Sequence, residues 1–221
     1  MSGFATARQK MVDGQVRTSD VTDIRILDAM LAVPREAFVP EKLRALAYLD
    51  RDLEFCEGGG STRFLIKPAV SAKMLQAAAI KHTDKVLVAG TAPAYMAAVV
   101  ATLAGEVVAT ESDSSQVANA KEVLAQLGLG NVTFTAAAPA RGDGENAPYD
   151  VIVLDGATEI RPDQLYSQLR EDGRLVGIFA MTNPSRATIV TRSHGDFGSR
   201  VLFDASAPVL PGLERLPTFV F

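Results

Sequence analysis

Short apolar runs alternate with helical segments through the second half of the chain, and this alternation constrains the fold more than any other feature. The runs are compact and rich in β-branched residues, which is typical of strands; they cover 86–89, 107–110, 132–136, 151–154 and 175–180. Helical periodicity lies between several of them, over 94–104, 114–127 and 162–170. Strands that take turns with helices form βαβ units, so the sequence predicts an α/β fold with a doubly wound, mostly parallel sheet.

The two ends of the chain depart from this alternation. Residues 5–48 are patterned as helices, whereas 49–68 contain a glycine triplet at 58–60 and predict a mobile loop. Near the other end, ATIVTRSHGDFGSRVLFDAS consists of two alternating stretches around Gly-Asp-Phe-Gly, which predicts an antiparallel C-terminal hairpin at the sheet edge. We therefore expect an N-terminal helical lobe with a loop over 1–68 and the α/β domain over 69–221.

Composition and charge exclude several classes of function. The chain has 221 residues, of which 48% are hydrophobic, enough for one substantial core. Its 22 Lys and Arg residues are scattered among 26 Asp and Glu residues, so no basic stripe for nucleic acid is expected. One cysteine, Cys56, and two histidines predict neither a disulfide framework nor a metal centre. Without a signal-type N-terminus or a bilayer-length apolar run, the protein is expected in the cytoplasm, away from membranes.

The turn after the first predicted strand of the sheet is the expected ligand site. In doubly wound sheets, ligands bind beyond the carboxyl ends of the strands, where the first strand leads into its helix. Here that turn is AGTAPAY, which places Gly90 and Thr91 at the ligand. About 20 residues later Glu111 closes the next strand, where a carboxylate accepts hydrogen bonds from ribose hydroxyls.

The glycine content of this turn favours one cofactor over another. A dinucleotide requires G-x-G-x-x-G so that its pyrophosphate can approach the backbone, and here only Gly90 is present, followed by Ala92 and Ala94. An NAD-linked oxidoreductase is disfavoured for that reason. S-adenosylmethionine carries no phosphate and needs fewer backbone amides, so it is the better fit.

Several motifs together resemble a known family. The stretches MVDGQV, VPREAFVP at 33–40, VLVAGTAPAYMAAVVATLA, LGLGNV and APYDVIVLDGA are similar, in order and spacing, to the protein-L-isoaspartate O-methyltransferases, most of all to a divergent bacterial branch. The resemblance extends from about residue 11 to residue 176. It implies a Rossmann-like class I methyltransferase fold, S-adenosylmethionine as methyl donor, and a protein or peptide with an isoaspartyl carboxylate as the substrate to be repaired.

The resemblance also assigns candidate site residues. The family carries a hydroxyl-bearing segment similar to GQTISQP, and the matching GGGSTRFLIKP makes Ser61 and Thr62 candidates for the acceptor site. Counting back from Pro68 instead places Ile66 at the hydroxyl position, so solvent-facing polar residues remain the other interpretation of that pair. The candidate cofactor-binding residues are Gly90, Thr91, Ala92, Tyr95, Glu111 and Asp155; a buried core position is the other interpretation of Tyr95.

The cofactor turn departs from the family pattern, which is similar to VLEIGTGSGY. Val88 stands where the family has an acid, Ala92 and Ala94 replace glycines, and Pro93 removes an amide donor. These changes predict weaker donor binding. They keep open an alternative function, a catalytically inactive homologue that acts as a ligand- or protein-binding module.

Overall fold

The computed structural model describes residues 3–55, 62–91 and 93–216, and its N-terminal part is helical. The helices are α1 (Gly3–Met11), a π-helical turn (Val12–Val16), a 3-10 turn (Arg17–Ser19), α2 (Ile24–Ala32) and two further 3-10 segments (Arg35–Phe38 and Glu41–Leu46). Asp23 caps α2, because its side chain accepts a hydrogen bond from the backbone of Arg25 at 3.0 Å. The predicted helical lobe is therefore present.

A small hairpin replaces part of the loop predicted over 49–68. Strands β1 (Leu53–Phe55) and β2 (Arg63–Leu65) pair antiparallel, with Leu53 opposite Leu65. One face of this hairpin is buried, because the apolar residues alternate along its strands. The buried side chains are Leu53, Phe55 and Leu65. Residues 56–61, which include the glycine triplet, lie outside the described residues.

The remaining elements form one sheet with helices packed on it. They are α3 (Pro68–Ala78), β3 (Lys85–Ala89), α4 (Tyr95–Ala101), β4 (Glu106–Thr110), α5 (Ser114–Gln126), β5 (Val132–Thr135), β6 (Tyr149–Thr158), α6 (Asp163–Tyr166), β7 (Leu169–Phe179), β8 (Arg186–Ser193) and β9 (Asp196–Asp204). The strand order is β5-β4-β3-β6-β7-β8-β9, in which the pairs β7–β8 and β8–β9 are antiparallel and the other four pairs are parallel. The predicted doubly wound sheet with an antiparallel C-terminal hairpin is confirmed.

Two boundaries near the C-terminal edge differ from the prediction. The helix expected over 162–170 ends at Tyr166, and β7 begins at Leu169 rather than at 175. The polar stretch LREDGR carries no strand pattern at the start of β7, where the pairing with β6 is irregular and Asp172 has a φ of 61°.

The C-terminal hairpin turns at His194-Gly195. The φ values are 53° and 82°, as in a two-residue turn with both central residues left-handed.

The centre of the sheet is buried on both faces. Every residue of α4 is buried, and so are the apolar residues of β3 between the flanking strands β4 and β6. Because β4 and β6 lie on opposite sides of β3, the chain reverses its direction of travel across the sheet just beyond Ala89. Across the described ranges, no helix is long and apolar enough to cross a membrane.

Arg174 connects the end of α3 to the sheet and forms an ion pair with Asp84. Arg174 on β7 donates to the carbonyl oxygens of Ala78 and Ala79 at the end of α3, and its Nη2 lies 3.0 Å from a carboxylate oxygen of Asp84. The two side chains are 18% and 7% exposed, so this pair is largely shielded from water.

Replacing Arg174 by methionine is expected to lower the free energy of unfolding by about 3 kcal/mol, because it leaves the Asp84 carboxylate buried without its cation. Urea denaturation of the two proteins measures the difference. Arg186→Met is the matched control, since the Arg186–Asp204 pair is 45% and 69% exposed and its loss is expected to cost no more than about 1 kcal/mol. Equal losses in the two variants would contradict this account.

Candidate functional site

A narrow crevice lies beyond the carboxyl ends of β3, β4 and β6. Its volume is about 90 Å³. The lining residues come from strands β4 and β6, from the segments that follow β3, β4 and β5, from the residues next to and within β2, and from a segment near the C-terminus. They are Thr62, Phe64, Gly90, Thr110, Glu111, Ser112, Pro139, Asp155, Pro208, Val209, Leu210 and Pro211.

The turn after β3 forms one wall of the crevice. Gly90 has a φ of 88°, a conformation that side-chain-bearing residues rarely adopt, and its amide lies 3.3 Å from the hydroxyl oxygen of Thr110. The amide of Thr91 donates to the carbonyl oxygen of Thr110 at 3.1 Å, while its hydroxyl donates to the carbonyl oxygen of Val88 at 2.9 Å. The Thr91 side chain therefore points inward and does not line the crevice.

Glu111 forms the second wall. It follows β4 directly and is buried, and its Oε1 accepts a hydrogen bond from the amide of Asp113 at 2.7 Å. Asp113 in turn caps α5 by accepting from the amide of Ser115 at 2.9 Å. The start of α5 thus holds the Glu111 carboxylate at the crevice, where the sequence predicts it.

Asp155 brings a second carboxyl group into the crevice. Its neighbour Leu154 pairs with Ala89, so Asp155 lies beside the turn that contains Gly90. Burial raises the pKa of the Asp155 carboxyl to about 7, although the positive charge of Arg35 acts in the opposite direction.

Arg35 is the buried cation behind the crevice. Its Nε donates to the carbonyl oxygen of Ala47 at 2.7 Å and its Nη2 to that of Ile66 at 2.5 Å, while its guanidinium lies 4.8 Å from the centre of the Tyr95 ring.

The described residues that line the crevice include two acidic side chains, Glu111 and Asp155, and no basic one. Such a lining favours a ligand with positive charge.

A segment that follows β9 closes the crevice. Residues 208–213, which we call the C-terminal strap, lie against the end of β6, where Val209 and Ala157 form a parallel bridge. The amide of Ala157 donates to the carbonyl oxygen of Pro208 at 2.8 Å, and the amide of Leu210 donates to that of Ala157 at 2.9 Å. The strap therefore adds to the edge of β6 beyond the point where β3 stops.

Leu210 inserts its side chain between two glycines of the crevice. A methyl group built on Gly90 would lie 2.4 Å from Leu210 Cδ2, and one built on Gly156 would lie 2.6 Å from Leu210 Cγ. With Leu210 in place, the crevice volume of about 90 Å³ is far below the roughly 300 Å³ at which small-molecule sites begin. Only a small part of a nucleoside can therefore lie inside the crevice while the strap is docked.

The structure brings together four of the predicted site residues. Gly90, Glu111 and Asp155 line the crevice, and Thr62 lies exposed at its edge. Tyr95 does not line it, because its ring is buried against Phe38 with 5.8 Å between ring centres. Ser61 and Ala92 lie outside the described residues.

Sequence reasoning missed the residues that contact Gly90 from other elements. Thr110 precedes the predicted Glu111, and Leu210 comes from PVLPG, an apolar stretch beyond the last predicted strand. That apolar stretch was a usable signal. Pro93 and Ala94, two other residues of the predicted cofactor turn, line a separate groove of about 540 Å³ between α5 and the N-terminal helices.

Comparisons with known proteins agree on one family. The family model of protein-L-isoaspartate(D-aspartate) O-methyltransferase matches residues 6–197. The chain is similar to protein-L-isoaspartate O-methyltransferase 2 of Anaeromyxobacter sp. (strain Fw109-5), with 43% identity over 176 residues, 77% of this chain and 69% of the relative. It is also similar to protein-L-isoaspartate O-methyltransferase 1 of Rhodopseudomonas palustris (strain HaA2), with 38% identity over 196 residues, 88% of this chain and 78% of the relative.

A solved structure shares the fold. A Plasmodium falciparum protein described as a beta-aspartate methyltransferase, in complex with S-adenosyl-L-homocysteine, superposes with a TM-score of 0.77 at 17% identity. The superposition covers 92% of this chain and 97% of that protein.

Asp155→Asn is expected to make the stability of the protein less dependent on pH. In the folded protein the Asp155 carboxyl keeps its proton up to about pH 7, whereas in the unfolded chain it loses the proton near pH 4. The wild-type protein therefore loses stability as the pH rises between these values, while the amide carries no such cost. The unfolding free energy of the variant minus that of the wild type should therefore increase by roughly 2–3 kcal/mol between pH 5 and pH 8.

Urea denaturation across that pH range measures the change. Glu122→Gln, which removes an exposed carboxylate from α5, is the control for the change in net charge. A gap between Asp155→Asn and wild type that stays constant with pH would show that Asp155 is not buried as described.

Proposed function

The chain belongs to the protein-L-isoaspartate O-methyltransferase family, and we propose that it transfers a methyl group from S-adenosylmethionine to the carboxylate of an isoaspartyl residue in a damaged protein or peptide. The observation that carries the proposal is the position of Glu111, which follows β4, and Asp155, which lies on β6 beyond its pairing with β3; both line the crevice at the point where the sheet reverses its strand order. Two acidic side chains at this point suit a nucleoside that carries positive charge.

The crevice residues have separate parts in this proposal. Glu111 accepts hydrogen bonds from the ribose hydroxyls, and Gly90 allows the backbone to approach the ligand closely. Asp155, in its ionised form, faces the ammonium group of the donor. S-adenosylmethionine, when bound, supplies an electrophilic methyl group, whose transfer forms the ester bond to oxygen and leaves the sulfur as a neutral thioether.

The acceptor requires orientation more than acid or base assistance. Its carboxylate is already ionised at neutral pH, so the contribution of the protein is to hold it in line with the methyl group. Thr62, exposed at the edge of the crevice, is placed to donate a hydrogen bond to that carboxylate. The side chains of Glu111, Asp155 and Thr62 thus suit the donor and the acceptor. The space next to Gly90 and Gly156 does not accommodate the donor while the side chain of Leu210 lies there.

A second candidate function follows from the same observation. A chain whose own strap permanently occupies the crevice would be a catalytically inactive homologue that binds a ligand or a protein elsewhere on its surface. Leu210, packed on both glycines, favours this alternative. The 43% identity to a named methyltransferase and the retained Glu111 favour catalysis.

The proposed activity is tested with a peptide that contains one isoaspartyl residue and radiolabelled S-adenosylmethionine. We expect base-labile methyl ester on this peptide and none on the same peptide with ordinary aspartate. Glu111→Ala is expected to weaken the binding of S-adenosyl-L-homocysteine by about 10-fold or more, measured by calorimetry, because a hydrogen bond to a charged group is lost. Glu122→Ala, on the exposed face of α5, should leave the affinity unchanged. Absence of ester together with absence of binding at millimolar ligand would favour the inactive homologue.

A further inference from the structure

The C-terminal strap occupies space that the proposed donor needs. We propose that Leu210 is an intramolecular competitor of the donor, so that the strap must leave the crevice before S-adenosylmethionine or its demethylated product can bind. This inference rests on the proposed function and adds a residue that sets the affinity of the site.

The side chain of Leu210 packs against Gly90 and Gly156, with distances of 2.4 and 2.6 Å from Leu210 atoms to the positions that Cβ atoms on these glycines would take. Gly90 follows β3 and lines the crevice together with Asp155 and Leu210, and Gly156 comes directly after Asp155 on β6. A ligand that lies against Gly90 and Asp155 therefore meets the Leu210 side chain.

The strap is held by few interactions. Its backbone is tied to β6 through the amides of Ala157, Leu210 and Glu159, the last of which donates to the carbonyl oxygen of Leu213 at 2.8 Å. Pro208 and Pro211 have no amide hydrogen, so they cannot extend this pairing. Within the strap only Leu210 and Leu213 are buried, and segments with few buried side chains open locally at low cost.

The strap also contains a pivot. Gly212 has a φ of 82° and lies between Leu210 and Leu213. Leu213 is 1% exposed and remains anchored, whereas the glycine permits the backbone change that withdraws Leu210. Opening of the strap thus requires rotation at Gly212, loss of the Val209–Ala157 bridge with its two hydrogen bonds, and loss of the hydrogen bond from the Leu213 amide to the Leu210 carbonyl oxygen, with the sheet unchanged.

The consequence is a lower apparent affinity for the donor. A ligand that binds only the open form has its dissociation constant multiplied by the inverse of the open fraction. Removing the side chain that stabilises the closed form raises that fraction. Burial of a leucine side chain shifts the equilibrium between closed and open strap by ~10-fold or more toward the closed form. Leu210→Ala is therefore expected to bind S-adenosyl-L-homocysteine at least ~10-fold more tightly than the wild type.

Calorimetric titration with S-adenosyl-L-homocysteine, at a temperature where thermal unfolding shows both proteins folded, measures this change. Leu216→Ala is the matched control, because Leu216 follows the strap and is 83% exposed; its affinity should equal that of the wild type. Equal affinities of Leu210→Ala and wild type would overturn the inference and leave the proposed function standing. No binding by either protein would overturn both.

Hydrogen exchange provides a test that does not depend on the Leu210 variant being folded. In the wild-type protein, saturating S-adenosyl-L-homocysteine should accelerate exchange of the Leu210 amide, which the closed strap protects. The amide of Ala180, bonded to Thr158 on the opposite edge of β6, serves as internal control and should not change. In the absence of ligand, Gly156→Ala should accelerate the Leu210 amide in the same way, because the added methyl group displaces Leu210. Unchanged protection of that amide in both experiments would contradict the proposed competition.

Discussion

The parallel pairing of β3 with β4 on one side and β6 on the other determines the rest of the structure. Val86 to Ala89 of β3 pair with both neighbours in register, so the residues that follow Ala89, Thr110 and Leu154 meet at one edge, while β6 itself continues to Thr158. This arrangement places Gly90, Glu111 and Asp155 in one crevice, although up to 65 positions separate them in the sequence. It also leaves the edge of β6 unpaired beyond the end of β3, and the C-terminal strap docks there.

Sequence patterns predicted the parts of the fold that follow from local periodicity. The buried runs around Val86, Val107 and Val151 became strands, because apolar β-branched segments of this length bury well in a parallel sheet. Glu111 and Gly90 were predictable for a similar reason, since their place at strand ends follows from strand order. Asp155 was also named in advance, whereas its raised pKa depends on burial, which only the packed structure defines.

The features that the sequence did not predict depend on contacts between distant segments. The early start of β7 at Leu169 comes from pairing with β6, which overrides the polar character of LREDGR. Leu210 reaches Gly90 across 120 positions, and no local pattern connects a glycine turn with a leucine between two prolines. For Tyr95 the sequence left a cofactor contact and a core position open, and the buried guanidinium of Arg35 and the ring of Phe38 hold its ring in the core.

We therefore propose that the crevice is a methyltransferase site whose acidic residues suit the donor and whose space is occupied by Leu210 of the same chain. A crystal structure of the protein grown with saturating S-adenosyl-L-homocysteine tests this claim most directly. We expect the nucleoside between Gly90 and Glu111, with the side chain of Leu210 withdrawn from Gly90 and Gly156 and the sheet unchanged. A ligand bound at any other place, with Leu210 still packed on both glycines, would contradict it.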